Sequence, residues 1–172
     1  MQAKIIVAGS RIIAKRPYRG STKYKDERVL DKAFEVYRAE MKWVWSQIEQ
    51  FLEEQADEGG PFHKEAPTEI QIVSGAADGV DQAGEHWQKE HPIHEDRLGR
   101  QSLTSLKRFP AEWWKNGRSA GMLRNQEMAR YADMALIIMR GDSKGSLDMA
   151  ARMRRMSKPC KVVRVGPSVE IE

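Results

Sequence analysis

Four short stretches of this chain carry residue types that handle phosphate. They are Gly9-Ser10-Arg11, Ser74-Gly75-Ala76-Ala77-Asp78-Gly79 followed by Asp81, the pair Arg124-Asn125, and Gly141-Asp142-Ser143-Lys144-Gly145-Ser146. Small residues between a strand and a helix let backbone N–H groups approach an anion, and the helix that follows aims its positive end at it. The Arg124 guanidinium can fork onto a phosphate, while the Asn125 amide can fix a ribose or a backbone group. Trp113 and Trp114 stand just ahead of that pair. They either lid a base by stacking, with Trp114 as the candidate, or, for at least one of the two, pack in the core. The ligand class this implies is a nucleotide-type small molecule. Neither a Walker A sequence nor a GxGxxG fingerprint is present. Asp78 or Asp81 serves equally well as a simple helix cap. His86, His91 and His94 lack ligand spacing, and no cysteine or carboxylate pattern completes a site around them, so neither a metal nor a cofactor is expected.

These residues need elements to hold them. Residues 4–8 (KIIVA) form a short β-branched run that stops at Gly9, which places Gly9, Ser10 and Arg11 at a strand's carboxyl end, where open α/β sheets bind ligands. Residues 12–25 read as a basic loop broken by Pro17 and Gly20. Residues 26–55 carry the longest helical pattern, with Val29, Leu30, Ala33, Val36, Tyr37, Met41, Val44, Trp45, Ile48, Phe51 and Leu52 as a core stripe and Trp43 just off it. Residues 69–73 predict a second strand and residues 80–90 a second helix. Ile93 marks a short third strand, and residues 101–107 read as a helical turn or loop. A helix opens at Arg124-Asn125, residues 134–139 (MALIIM) form a strand, residues 147–156 a helix, and residues 161–165 the last strand. Met122, Met128, Met134, Met139, Met149, Met153 and Met156 read as adaptable core filler. The alternation predicts a single α/β domain over residues 1–172, Rossmann-like and doubly wound, with a mostly parallel sheet of about five strands.

The totals agree with that class. The chain has 172 residues, 40% of them hydrophobic and 31% charged, which suits one folded domain with a substantial core. No apolar run approaches the roughly 20 residues that span a bilayer, so no membrane partner is expected. One cysteine, Cys160, and a strand-like start without a leader pattern point to a cytoplasmic protein. The net charge of +4 is unevenly spread. Residues 11–25 hold Arg11, Lys15, Arg16, Arg19, Lys23 and Lys25 without an acid, and a second group comprises Arg140, Lys144, Arg152, Arg154, Arg155 and Lys158. Basic loops attract phosphate, on a small nucleotide or on nucleic acid.

Taken in order, VAGSR, VSGAADGVDQAGEHW, FPAEWWKNGRSAGMLRNQEM and ADMALIIMRGDSKGSLDMA resemble the YspA-like branch of the SLOG superfamily, which also includes the lonely-guy phosphoribohydrolases and the DNA-processing protein DprA. The resemblance covers most of the chain, missing mainly the long first helix and residues 59–67. It implies nucleotides or their derivatives, of the ADP-ribose or NAD-derived kind, bound at the carboxyl ends of the strands. It places Gly9, Ser10 and Arg11 in the first loop, Gly75 to Gly79 with Asp81 in the second, and Arg124-Asn125 on the arginine-bearing helix of the lonely-guy enzymes. Gly145, Ser146 and Asp148 fall on the phosphate-loop pattern GGxGTxxE. Here the chain departs from that pattern: no double glycine precedes Gly145 in Gly141-Asp142-Ser143-Lys144, Ser146 replaces the threonine and Met149 the catalytic glutamate. Asp148, one place early, lies about 100° away on a helix. N-glycosidic cleavage wants a carboxylate and a positioned water, and Asp78, Asp81 and Asp148 are the only substitutes. The expectation is therefore a sensor or sequestering protein, with a phosphoribohydrolase acting through Asp148 or Asp81 as the alternative. DprA-like DNA binding is the further alternative, nucleic acid being the less expected partner. Self-association, with the Trp43 face as one place for it, is a further expectation.

Overall fold

The computed structural model describes residues 1–166, so residues 167–172 of the expected domain lie outside it. β1 (Gln2–Gly9), α1 (Glu27–Ala56), β2 (Glu69–Ser74), α2 (Val80–Glu90), β3 (Ile93–Glu95), β4 (Gln101–Arg108), α3 (Trp113–Asn116), α4 (Ala120–Tyr131), β5 (Met134–Arg140), α5 (Lys144–Arg155) and β6 (Cys160–Val165) follow in chain order. The strands form one sheet in the order β3-β4-β2-β1-β5-β6, parallel except for the β3–β4 pair. The α/β class and the mostly parallel sheet match the expectation, with six strands rather than about five.

Alternation along the strands sorts the core into two layers. Ile5, Val7, Ile70, Ile72, Leu136 and Ile138 pack with Val44, Ile48 and Phe51 of α1 and Trp87 of α2. Ile6, Val73, Ala135, Ile137 and Met139 pack on the opposite face with Met128 and Ala129 of α4 and Met149 and Met153 of α5. Helices therefore cover both faces, and the sheet's winding reverses between β1 and β5. In a doubly wound sheet that reversal opens a crevice beyond the strands' carboxyl ends.

Several expectations are corrected. Residues 101–107 are a strand, β4, rather than a turn: Ser102 is buried and donates its hydroxyl to the Pro67 carbonyl (2.6 Å), while Leu103 faces out. That inverted polarity hides the strand from a hydrophobic pattern. The α1 stripe packs on the core only from Met41 onward, with Leu30 buried apart from it; Val29 and Val36 are exposed because a 30-residue helix, about 45 Å long, outruns strands of six to eight residues. Trp43, expected just off the stripe, is partly buried and packs against the core. Met122 and Met156 are exposed, unlike the other methionines expected as core filler. No helix among the described residues is long and apolar enough to cross a membrane.

Candidate functional site

A cavity of about 450 Å³ opens at the reversal point, within the size range of small-molecule sites. Its floor is the end of β1, Ala8 and Gly9, with Ser10, Arg11 and Ile12 just beyond. Gly9 has no room for a side chain, since a Cβ there would collide with the Ile138 carbonyl of β5. Ser10 stitches the two strands: its N–H donates to Ile138 O (3.0 Å), and its Oγ accepts from the Arg140 N–H (2.9 Å). The sequence thus brings the first loop against β5, and Arg140 lines the cavity beside it.

α4 supplies the second wall. It begins at Ala120, after α3 and a single 3-10 turn at Gly117–Ser119, so Arg124 and Asn125 lie past its first turn rather than at its start. Both line the cavity. Arg124 is half-buried; its Nη1 donates to the Gly75 carbonyl and its Nε to Asn125 Oδ1 (3.1 Å). A Cβ at Gly75 would lie 2.5 Å from Arg124 Nη1 and 2.8 Å from Asp81 Oδ2, so a side chain there would push both groups out of place. Asn125 is buried and donates to the Gly145 carbonyl and to Asp148 Oδ2, each at 3.0 Å. The amide expected to meet a ribose instead braces α4 against α5.

α5 supplies the third wall. Ser143 caps it by accepting from Ser146 N–H, and the Ser146 hydroxyl donates to Ser143 Oγ (3.0 Å). Ser143, Gly145 and Ser146 all line the cavity, and the space where a Gly145 Cβ would stand is open. First-turn amides of a helix have no partner within the helix, so this end favours an anion. Met149, at the position of the resembled family's glutamate, lines the same wall and is 1% exposed.

Of the charged residues lining the cavity, four are arginines (Arg11, Arg118, Arg124 and Arg140) and one is a carboxylate, Asp81. Burial pushes the Asp81 carboxyl up to about 6, although Arg124 and the backbone N–H groups of Ala77 and Gly9 pull it down. Burial likewise lowers Arg124, against the pull of Asp81. The two form a desolvated pair on either side of Gly75.

The cavity therefore gathers Gly9, Ser10, Arg11, Asp81, Arg124, Asn125, Gly145 and Ser146 of the expected residues. It does not gather the others. Ser74 is fully buried and donates to Glu85 Oε1 (2.7 Å); Ala76 and Asp78 are exposed, with Asp78 accepting from Gln82; Gly79 turns the chain at φ 83 against the Ser10 carbonyl. Gly141, at φ 65, is exposed outside the lining. Trp114 is 84% exposed and does not line the cavity, whereas Trp113 does; neither tryptophan belongs to the core. Asp148 is also outside, its Oδ2 held by Asn125 Nδ2 (3.0 Å) and Arg152 Nε (2.9 Å). Arg118 had not been singled out in the sequence, while Ser143 and Arg140 stood only within a small-residue loop and a basic group. Arg140 had a signal, since it ends the strand beside the reversal point. Among the described residues no cluster of histidine, cysteine and carboxylate groups is arranged to hold a metal ion.

No family model and no curated protein matches the chain. Among solved structures, DNA processing protein A from Helicobacter pylori, described for its single-stranded DNA binding mode, is similar to it at 17% identity and a TM-score of 0.45, over 99% of this chain and 67% of that one.

Proposed function

We propose that the chain binds a nucleotide or an ADP-ribose-like derivative by its phosphate in this cavity and does not turn it over, acting as a sensor or sequestering protein. The observation that carries the reading is the cavity's make-up: four arginines and the α5 amino end surround it, and buried Met149 occupies the glutamate position. Guanidinium groups match phosphate bidentately, and partial burial strengthens such a bond at Arg124 and Arg140. The four sequence motifs support a place in the YspA-like branch, and a cytoplasmic setting goes with it.

Titration calorimetry with AMP, ADP-ribose and NAD, followed by chromatography of each mixture, tests this. Binding with intact ligand is expected; Arg124→Met should weaken it at least about tenfold, the loss of roughly one charge-assisted hydrogen bond. Absence of binding by all three sinks the reading.

One observation favours a phosphoribohydrolase instead. Asp81 is a buried carboxyl in the cavity whose proton affinity is set near 6, a value suited to acid–base work. Released base that vanishes in Asp81→Asn would establish that alternative. For DNA, residues 11–25 supply mostly exposed cations, whereas Lys158 is spent on the Ala129, Arg130 and Ala132 carbonyls and Arg152 on Asp148. A DNA strand bound with a steep salt dependence would favour it.

A further inference from the structure

Glu40 lies in the overhanging half of α1, outside the cavity lining, yet one of its carboxylate oxygens reaches the turn that follows Arg11 and Ile12 and the other reaches Arg140 of the lining. Oε2 accepts the Ala14 N–H at 2.6 Å, and Oε1 lies 3.6 Å from Arg140 Nη2. Ala14 is buried and sits at φ 53, a left-handed conformation that a non-glycine residue keeps only when its surroundings hold it there. It closes the turn that carries Arg11 and Ile12 into the lining. Arg140 is held from other sides by its Nε bond to the Gly166 carbonyl (3.2 Å) and its backbone bond to Ser10. The side chains of Arg140 and Glu40 are only 17% and 20% exposed, so solvent and salt screen the pair little.

We propose that Glu40 is the positioning residue that sets the cavity's charge selectivity. One oxygen fixes the Arg11-bearing turn; the other aims Arg140 and offsets its charge, tuning the cavity between dianionic phosphates and less charged ligands. The inference rests on the phosphate-binding reading and adds to it a residue that touches no ligand.

Two substitutions separate the two oxygens' roles. Glu40→Gln keeps an acceptor for Ala14 and removes the charge; Glu40→Ala removes both. Binding of AMP and of adenosine, which lacks the phosphate, is measured by calorimetry, and tryptic cleavage within residues 11–25 reports on the turn. Glu40→Gln is expected to bind AMP at least about threefold more tightly, from an unopposed nearby charge, with adenosine binding and cleavage as in the wild type. Glu40→Ala is expected to be cleaved faster and to bind AMP at least about tenfold more weakly. A merely structural glutamate would weaken AMP binding in both variants, and that result overturns the proposal. Wild-type cleavage of Glu40→Ala overturns it too. If AMP does not bind the wild type, the phosphate reading fails and the charge-selectivity role falls with it; wild-type AMP binding that Glu40→Gln does not tighten overturns the Glu40 proposal alone.

Discussion

Replacing Asp81 with asparagine removes a charge that the fold buries at a cost, so the variant should be the more stable protein at neutral pH. In the native chain the carboxyl rises from 3.8 to about 6, roughly two pH units, and at about 1.4 kcal/mol per unit this amounts to about 3 kcal/mol. The sign follows from the raised value: the folded state holds the proton more tightly than the unfolded chain. The stabilising contribution is complete below about pH 4 and is lost as pH rises through 6. Asparagine cannot ionise and keeps a single side-chain oxygen for the Ala77 and Gly9 N–H groups, a loss of about 1 kcal/mol. About 2 kcal/mol of net stabilisation remains at pH 7.5, or a Tm increase of about 4–8 °C for a chain of this size. At pH 4 the advantage should vanish, because the native carboxyl is then largely protonated. Thermal unfolding of both proteins from pH 4 to 8 measures this, and differencing them cancels other titrating groups. Asp96 is one such group: its burial cost is outweighed by bonds from Arg100 and Leu98, so its contribution has the opposite sign and fades as pH falls. A variant that is equally destabilised at both pH values would refute the reasoning, showing that Arg124 needs its counter-charge more than Asp81 suffers from burial.

Other outcomes follow from single contacts. Lys158→Met removes three hydrogen bonds to the carbonyls ending α4 and should lower Tm by about 2–6 °C, read by thermal unfolding at pH 7.5. Trp114→Ala should leave stability within about 0.5 kcal/mol and AMP affinity unchanged, whereas Trp113→Ala should weaken AMP, measured by calorimetry. Asp148→Asn should bind AMP within about threefold of the native chain, because its carboxylate is tied to Asn125 and Arg152 away from the cavity; any change in base release on this substitution would show otherwise.

The sheet's class, its helices on both faces and part of the cavity lining were legible because they depend on local signals. Ile5, Ile6 and Val7 announce a buried strand, and Gly9 and Gly75 mark places where backbone or guanidinium comes too close for a Cβ. What was hidden depends on partners distant in sequence. β4 was illegible because Ser102 faces inward to satisfy Pro67, reversing the expected alternation. Asp148 and Asp81 look alike in sequence; only packing decides that Arg152 claims the first while the second is left in the cavity. Trp113 and Trp114 differ only in which face of a four-residue helix turns toward Gly121. Glu40 had no signal, because a lone acid on a charged helix face looks like solvated surface until Ala14 and Arg140 are placed beside it.

The central place of β1 has a consequence for biosynthesis. Its flanks are filled by β2 and β5, and Ile5 pairs with both Ile72 and Met134. At about 5–20 residues per second, β5 leaves the ribosome roughly 6–26 s after β1. Throughout that interval one side of a strand bearing Ile5, Ile6 and Val7, all but fully buried in the finished fold, has no native neighbour. An unpaired apolar strand is a template for wrong pairing. Nascent chains arrested before β5 should therefore depend on chaperones, and those extended past Arg140 should shed that dependence as the vacant flank of β1 is filled.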